Sequence, residues 1–273
     1  MKKVVVTGSF DRLGSRHVRF LEEAAKAGDV HVLLWSDESV RSLESEPPKF
    51  PERERLYLLQ ALRYVRQVTL VRGRVERDAL PLIDTIQPEV WIVDEASDTS
   101  PKRAYCRARG VEYRVLRTED LKGFPAARLA AQEEHSPRKK VMVTGCFDWF
   151  HSGHVRFFEE VSKLGSLYVV VGHDANIRLL KGEGHPLFPQ DERRYLVQSV
   201  RYVEHALISS GRGWLDAEPE IATLRPDLYA VNEDGDKAEK RAFCQAHGIE
   251  YVVLRRLPKE GLPRRQSTDL RGF

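Results

Sequence analysis

The sequence predicts an α/β protein of two tandem domains, each a doubly wound parallel sheet, and three observations carry that prediction. First, the chain is written twice. VVVTGSFDRLGSRHVRFLEE (Val4 to Glu23) returns as VMVTGCFDWFHSGHVRFFEE (Val141 to Glu160), so residue n pairs with n+137. After a one-residue insertion the offset becomes 138, and PERERLYLLQALRYVRQV (Pro51 to Val68) matches PQDERRYLVQSVRYVEHA (Pro189 to Ala206). That register persists through QPEVWIVDEASD against RPDLYAVNEDGD and KRAYCRARGVEYRVL against KRAFCQAHGIEYVVL. A period this long makes each copy a domain, not a solenoid repeat, and 273 residues is about two domains' worth. Second, the apolar runs are short, continuous and β-branched, as in strands covered on both faces. Third, those runs alternate with helical stretches, which implies right-handed crossovers between parallel strands.

The elements of the first copy follow in order: strand Lys3 to Val6, helix Ser15 to Ala27, strand Val30 to Trp35, helix Glu52 to Tyr64 and strand Val68 to Val71. Then come helix Asp78 to Ile86, strand Val90 to Val93, helix Pro101 to Arg109 and strand Glu112 to Leu116. The second copy repeats the order. Thr118 to Pro137, ending in AARLAAQEEHSP, reads as a short helix plus linker. The expected organisation is two Rossmann-like domains, residues 1–120 and 139–273, joined by a linker at 121–138. In such sheets ligands bind beyond the carboxyl ends of the strands, where strand order reverses.

Bulk composition narrows the function. Lys and Arg number 44 against 41 Asp and Glu, and a net charge of +3 is too small to argue for nucleic acid or a membrane surface. Three valines after Met1-Lys2-Lys3 are too few for a signal-peptide core, and no apolar run could span a membrane. Cys106, Cys146 and Cys244 lack metal-site spacing and suit a reducing compartment. Cys106 and Cys244 share one repeat position on a helix, which favours small buried residues over a disulfide. The expectation is a cytoplasmic two-domain protein.

Chemistry concentrates in Thr144-Gly-Cys-Phe-Asp-Trp-Phe-His-Ser-Gly-His154, between the first strand of copy two and its first helix. Gly145 permits a tight turn beside a ligand. A helix start offers unpaired N–H groups and the positive end of a dipole. His151 and His154 stand three apart across Gly153, so both rings can lie on one side of that helix start. Phosphate oxygens would account for both. A capping role or a metal site are the other readings, and the latter lacks a third ligand.

GCFDWFHSGH resembles the GxFDxxHxGH signature of the HxGH-motif nucleotidyltransferases, and within them the chain is most similar to the cytidylyltransferases. Three further segments resemble that family: Lys181 in RLLKGEGHP its phosphate-binding lysine, Glu192-Arg193 with Arg201-Tyr-Val-Glu204 its ER…RYVD segment, and Gln266-Ser-Thr-Asp-Leu-Arg271 its ISTT helix start. The resemblance covers residues 139–271. It implies attack of a substrate phosphate on the α-phosphorus of CTP, with Mg2+ carried by the phosphates and pyrophosphate leaving. His151, His154 and Lys181 would be catalytic. Gly145, Cys146, Phe147, Asp148, Gly153, Arg193, Arg201, Ser267 and Thr268 would bind nucleotide. Asn232, Glu233 and Asp234 stand where the family commonly reads HGDD, so this chain departs from it in a loop that reads base or acceptor.

That chemistry is plausible on the residues alone. A phosphate monoester is largely dianionic near neutrality, so no side-chain nucleophile is needed, only positioning and positive charge. The first copy sharpens the assignment. Gly14 replaces His151, Glu44 replaces Lys181, and Leu129-Ala130 replace Ser267-Thr268, leaving His17 and the GSFD turn. Copy one is therefore expected to be inactive and to serve as an internal pseudo-dimer partner; homodimerisation is the other arrangement open to the chain. The tandem ethanolamine-phosphate cytidylyltransferases resemble this plan, with one degenerate half that is generally the second, not the first. Expected partners are a nucleoside triphosphate and a small phosphorylated alcohol or sugar, with no nucleic acid and no membrane insertion. ATP in place of CTP, and a non-catalytic nucleotide-binding regulator, are the alternatives.

Overall fold

Residues 1–125 and 138–270, apart from Ser45, Arg74 and the side chain of Asp269, are described by a computed structural model of the chain. Their strands form two five-stranded parallel sheets, one within Met1–Gly123 (unit 1) and one within Phe124–Phe273 (unit 2).

Unit 1 runs β1 (Lys3–Gly8), α1 (Ser15–Ala25), β2 (Asp29–Trp35), α2 (Asp37–Glu44), α3 (Glu52–Gln60), β3 (Val65–Val71), α4 (Ile83–Ile86), β4 (Val90–Asp94), α5 (Ser100–Arg109) and β5 (Glu112–Leu116). Unit 2 runs β6 (Lys140–Gly145), α6 (Ser152–Val161), β7 (Ser166–Val171), α7 (Asp174–Lys181), α8 (Gln190–Gln198), β8 (His205–Ile208), α9 (Glu218–Leu224), β9 (Leu228–Asn232), α10 (Ala238–Ala246) and β10 (Glu250–Leu254). A short 3-10 turn follows at Ser267–Leu270.

Strand order is β3-β2-β1-β4-β5 in unit 1 and β10-β9-β6-β7-β8 in unit 2. Both are the doubly wound arrangement, with order reversing between β1 and β4 and between β6 and β9. The crevice for a ligand lies there, past the carboxyl ends of the strands. The β-branched runs are buried as their composition requires: every residue of β7 is buried, and Trp91 and Tyr229 fill equivalent core positions on β4 and β9. No helix among the described residues is long and apolar enough to cross a membrane.

Four elements differ from expectation. The helix expected over Asp78 to Ile86 contracts to Ile83–Ile86, because Pro81 disfavours helix just before it and Leu82 is left-handed (φ +57°). Helices α2 and α7, each one residue or two past a strand, were not anticipated. The helix expected after Thr118 is a 3-10 turn at Glu119–Leu121; residues 126–137 of the expected linker lie outside the described residues.

Candidate active site

The turn after β6 holds Phe147 and Trp149 in left-handed backbone (φ +52° and +45°), and Phe10 and Arg12 repeat this in unit 1 (φ +46° and +49°). Such residues cost about 1–3 kcal/mol each and persist only where their surroundings hold them. Here the hold is polar. The buried Asp148 carboxylate accepts from the N–H groups of Leu187 (3.0 Å) and Phe188 (3.1 Å). Arg193, fully buried, donates to the carbonyls of Cys146, Phe188 (2.8 Å) and Gly172 (2.8 Å) and to Asp174 Oδ1 (2.7 Å). One guanidinium thereby ties together the turn after β6, the start of α7 and the loop before α8. Unit 1 builds the same brace: Asp11 accepts from Lys49 and Phe50, and Arg55 donates to the Ser9 and Phe50 carbonyls and to Asp37. Asp148 and Arg193, expected at the nucleotide, are turned inward as scaffold.

At the carboxyl edge this brace frames a cavity of about 210 Å3. Lys181 reaches it from the last residue of α7, which Gly182 (φ +86°) terminates. His154 enters from α6, Lys240 from α10, and Arg256 from the segment after β10. Gly145, Cys146, Phe147 and Gly153 form one wall, with Asn232 and Asp234 at the end of β9 and Ser267 on the C-terminal turn. Gly145 has to be glycine, since a Cβ there would sit 2.7 Å from the Phe147 ring. Lys181, Lys240 and Arg256 outweigh the single carboxylate, Asp234, which Arg256 pairs.

The histidines take unequal positions. His151 is fully buried and caps α6, its Nδ1 accepting from the Gly153 N–H at 3.0 Å. Its proton therefore sits on Nε2, which lies 3.5 Å from Ser267 Oγ. Its ring stacks on His154 at 3.9 Å. Burial first, then Arg256 and Arg265, push His151 down to about 3; burial, with His151, Arg256 and Lys181, pushes His154 well below the ordinary range. Both rings are neutral near pH 7 and can act only as hydrogen-bonding groups, with His154 at the cavity wall and His151 behind it.

Other expected residues lie apart. Arg201 is exposed just before β8, at the amino edge of the sheet and away from the cavity. Glu233 is exposed, and its carboxylate accepts from the Arg256 N–H (3.4 Å), bracing the loop that carries Arg256. Thr268 is exposed beside Ser267 but does not line the cavity. Leu129 and Ala130, aligned with Ser267 and Thr268, lie outside the described residues.

Two cations were missed. Lys240 packs over Tyr229 (5.8 Å) and is lowered by burial; on a charged helix it reads as solvated surface, although Lys102 repeats it. Arg256 falls opposite Thr118 in the 138-residue register, the kind of polar difference that singled out Lys181.

The differences between units are coupled. A Cβ on Gly153 would lie 2.9 Å from His151 Cε1, so His151 requires glycine there. Unit 1 has Gly14 in place of the histidine, and Arg16 then replaces the glycine. His17 takes over next to the cap, its Nδ1 accepting from the Gly14 N–H at 3.3 Å.

A profile of the Cytidylyltransferase-like family matches residues 5–119 and 142–255, one segment in each unit. The chain belongs to that family. Among curated proteins, this cytidylyltransferase-like chain is 35% identical over 125 residues to the FAD synthase of Ferroglobus placidus, covering 45% of the chain and 78% of that protein. It is 35% identical over 136 residues to the FAD synthase of Aciduliprofundum boonei, covering 49% and 84%. It is 36% identical over 119 residues to the bifunctional protein HldE of Nitratiruptor, covering 42% of the chain and 25% of that longer protein. Among solved structures, a lipopolysaccharide core biosynthesis protein from Thermoplasma volcanium is 28% identical over 45% of this chain and 99% of that one, with a TM-score of 0.39.

Proposed function

We propose that unit 2 is the catalytic half of a nucleotidyltransferase, moving a nucleoside monophosphate from a triphosphate to a small phosphorylated acceptor with release of pyrophosphate. One observation carries this reading: Lys181, Arg256, Lys240 and His154 converge from four separate segments on one cavity at the strand-order reversal. A phosphate monoester brings its own nucleophilic oxygen, so the enzyme's task is alignment and charge compensation. Lys181 and Arg256 compensate the triphosphate. His154 contributes a neutral hydrogen bond. His151 and Gly153 fix the start of α6, whose positive dipole end adds to the charge at the cavity. Arg193 and Asp148 hold the three loops in register.

ATP is the donor this reading adopts, since several curated relatives across most of their own length are FAD synthases, whose product carries an adenylyl group. CTP remains the second reading, on the RYVE segment and the cytidylyltransferase resemblance. Mg2+ fits as a companion of the triphosphate oxygens: no group of three His, Cys, Asp or Glu side chains able to hold a metal occurs among the described residues, and Mg2+ commonly binds through substrate phosphates. It would supply charge neutralisation at the phosphates. Unit 1, with Glu44 at the Lys181 position, does not transfer nucleotide. Pyrophosphate release by the purified chain with ATP and with CTP, across a panel of phosphorylated acceptors including FMN, sugar phosphates and phosphoethanolamine, is the test. Release with ATP is expected. Release with CTP alone reverses the donor, and release with neither under any acceptor overturns the reading.

A further inference from the structure

Unit 1 has lost the phosphate-binding side chains but not the cavity. At its own strand-order reversal it encloses about 220 Å3, against about 210 Å3 in unit 2. All of its lining positions except Trp35, Ile92 and Leu121 fall in register with the lining of the unit 2 cavity. The strained turn also survives, with Phe10 and Arg12 left-handed, as does the buried Lys102, lowered by burial and donating to the Ser97 carbonyl. A domain kept only as a folding partner has no need of a strained turn and a buried lysine around an open space.

What changed is charge. Arg16 and Lys102 now face Glu44 and Asp94, so the cationic surplus of unit 2 is cancelled. Glu44 stands where a triphosphate would need Lys181. Asp94 lies 3.9 Å from Arg16, and its Oδ1 accepts from the Ser97 N–H at 3.0 Å. Because His17 Nδ1 accepts from Gly14, its proton is on Nε2, on a ring that lines the cavity. The set offers carboxylate acceptors for hydroxyls, an N–H donor and no net charge. We infer that the unit 1 cavity is a separate binding site for an uncharged nucleoside, one without its phosphates, whose sugar hydroxyls donate to Glu44 and Asp94, a use of acidic residues known at nucleotide sites of this fold class. The choice of a nucleoside among uncharged molecules rests on the nucleotide reading of the equivalent cavity in unit 2; the pyrophosphate assay on the unaltered chain tests that reading by itself.

The test uses the full chain carrying Lys181→Ala and Arg256→Ala, which silences the unit 2 site, titrated calorimetrically with adenosine, cytidine, ATP and CTP. One nucleoside is expected to bind one-to-one, with either triphosphate at least tenfold weaker. Ser9→Trp, added to fill the cavity, is expected to weaken nucleoside binding at least tenfold while the circular dichroism spectrum is kept. Glu44→Lys, at an exposed position that leaves the fold intact, is expected to raise triphosphate affinity at least tenfold. The inference is overturned if neither nucleoside binds the double variant, if binding survives Ser9→Trp in a folded chain, or if Glu44→Lys leaves triphosphate affinity unchanged.

Discussion

Unit 1 and unit 2 share a sheet, a strained turn and a brace, and they part at the side chains that would meet phosphate. Asp11 and Asp148 accept from equivalent loop amides, and Arg55 and Arg193 donate to equivalent carbonyls. Lys181, Arg256 and His151 have no counterpart of like chemistry; Glu44, Thr118 and Gly14 stand opposite them. The duplication thus separates two kinds of charged residue that a single copy would leave mixed. The arginine repeated in both units, Arg55 and Arg193, holds loops in place, and Lys181 and Arg256, confined to unit 2, line the cavity. Lys102 and Lys240 are the informative exception, a repeated cation that lines a cavity in both.

The largest expected effect comes from giving unit 2 a residue of unit 1. Lys181→Glu places a carboxylate where the triphosphate needs a cation, and a drop in kcat/KM of about a thousandfold is expected, one fixed donor being worth about 10²–10³. Because Lys181 is exposed, the melting temperature stays put. A variant that keeps its activity breaks the comparison at its most informative position.

Next in size is a matched pair of scaffold variants. Arg193→Ala and Arg55→Ala each strip donors from several buried carbonyls and leave a carboxylate unpaired, at about 3–5 kcal/mol of stability. Similar losses in urea unfolding are expected for both, since three bonds recur at each guanidinium, with the Gly172 carbonyl an additional acceptor for Arg193. If Arg193→Ala instead raised KM for the nucleotide with stability unchanged, it would be a ligand contact after all.

How much of this the sequence disclosed depends on what kind of physics each residue expresses. Strands and most helices were legible because burial on both faces leaves continuous β-branched runs, and the strand-order reversal then located the site. Helices α2 and α7 were not, because eight residues give too little periodicity to stand out, and α7 is capped by His173 rather than by Ser, Thr or Asp. Lys181 was legible as a charge reversal against Glu44. Arg256 carried the same signal against Thr118 and was missed. Arg193 was misassigned because a motif match does not say which way a guanidinium points; its recurrence as Arg55 did contain that answer. His151 and Arg201 depended on three-dimensional placement: one sits behind the cavity wall, the other at the far edge of the sheet.

A smaller effect tests the coupled exchange at the helix start. Gly153→Arg drives a side chain into the His151 ring, 2.9 Å from where its Cβ would lie, and about a hundredfold loss in kcat/KM is expected from the displaced cap and donors. In a His151→Gly background the ring is gone, and adding Gly153→Arg is expected to cost less than about threefold more. Such non-additivity is the mark of residues in contact. Additive losses would mean that the two replacements in unit 1 arose independently.

The smallest effect is in pH. His151, at about 3, and His154, pushed well below its ordinary value chiefly by burial, stay neutral in the folded chain while the same groups in the unfolded chain titrate near 6.5. Between those values the unfolded chain binds more protons, so stability falls as pH falls below about 6.5, by up to about 1.4 kcal/mol per pH unit for each such histidine. His17 in unit 1 is lowered as well, chiefly by burial, with Asp94 and Asp11 opposing the shift and Arg16 reinforcing it, whereas at His151 Arg256 and Arg265 both reinforce it. The melting temperature is therefore expected to drop between pH 7 and pH 5, and His151→Gln is expected to flatten that drop more than His17→Gln does. Equal flattening would mean that the different charges around His151 and His17 add nothing to the burial both units impose on these rings.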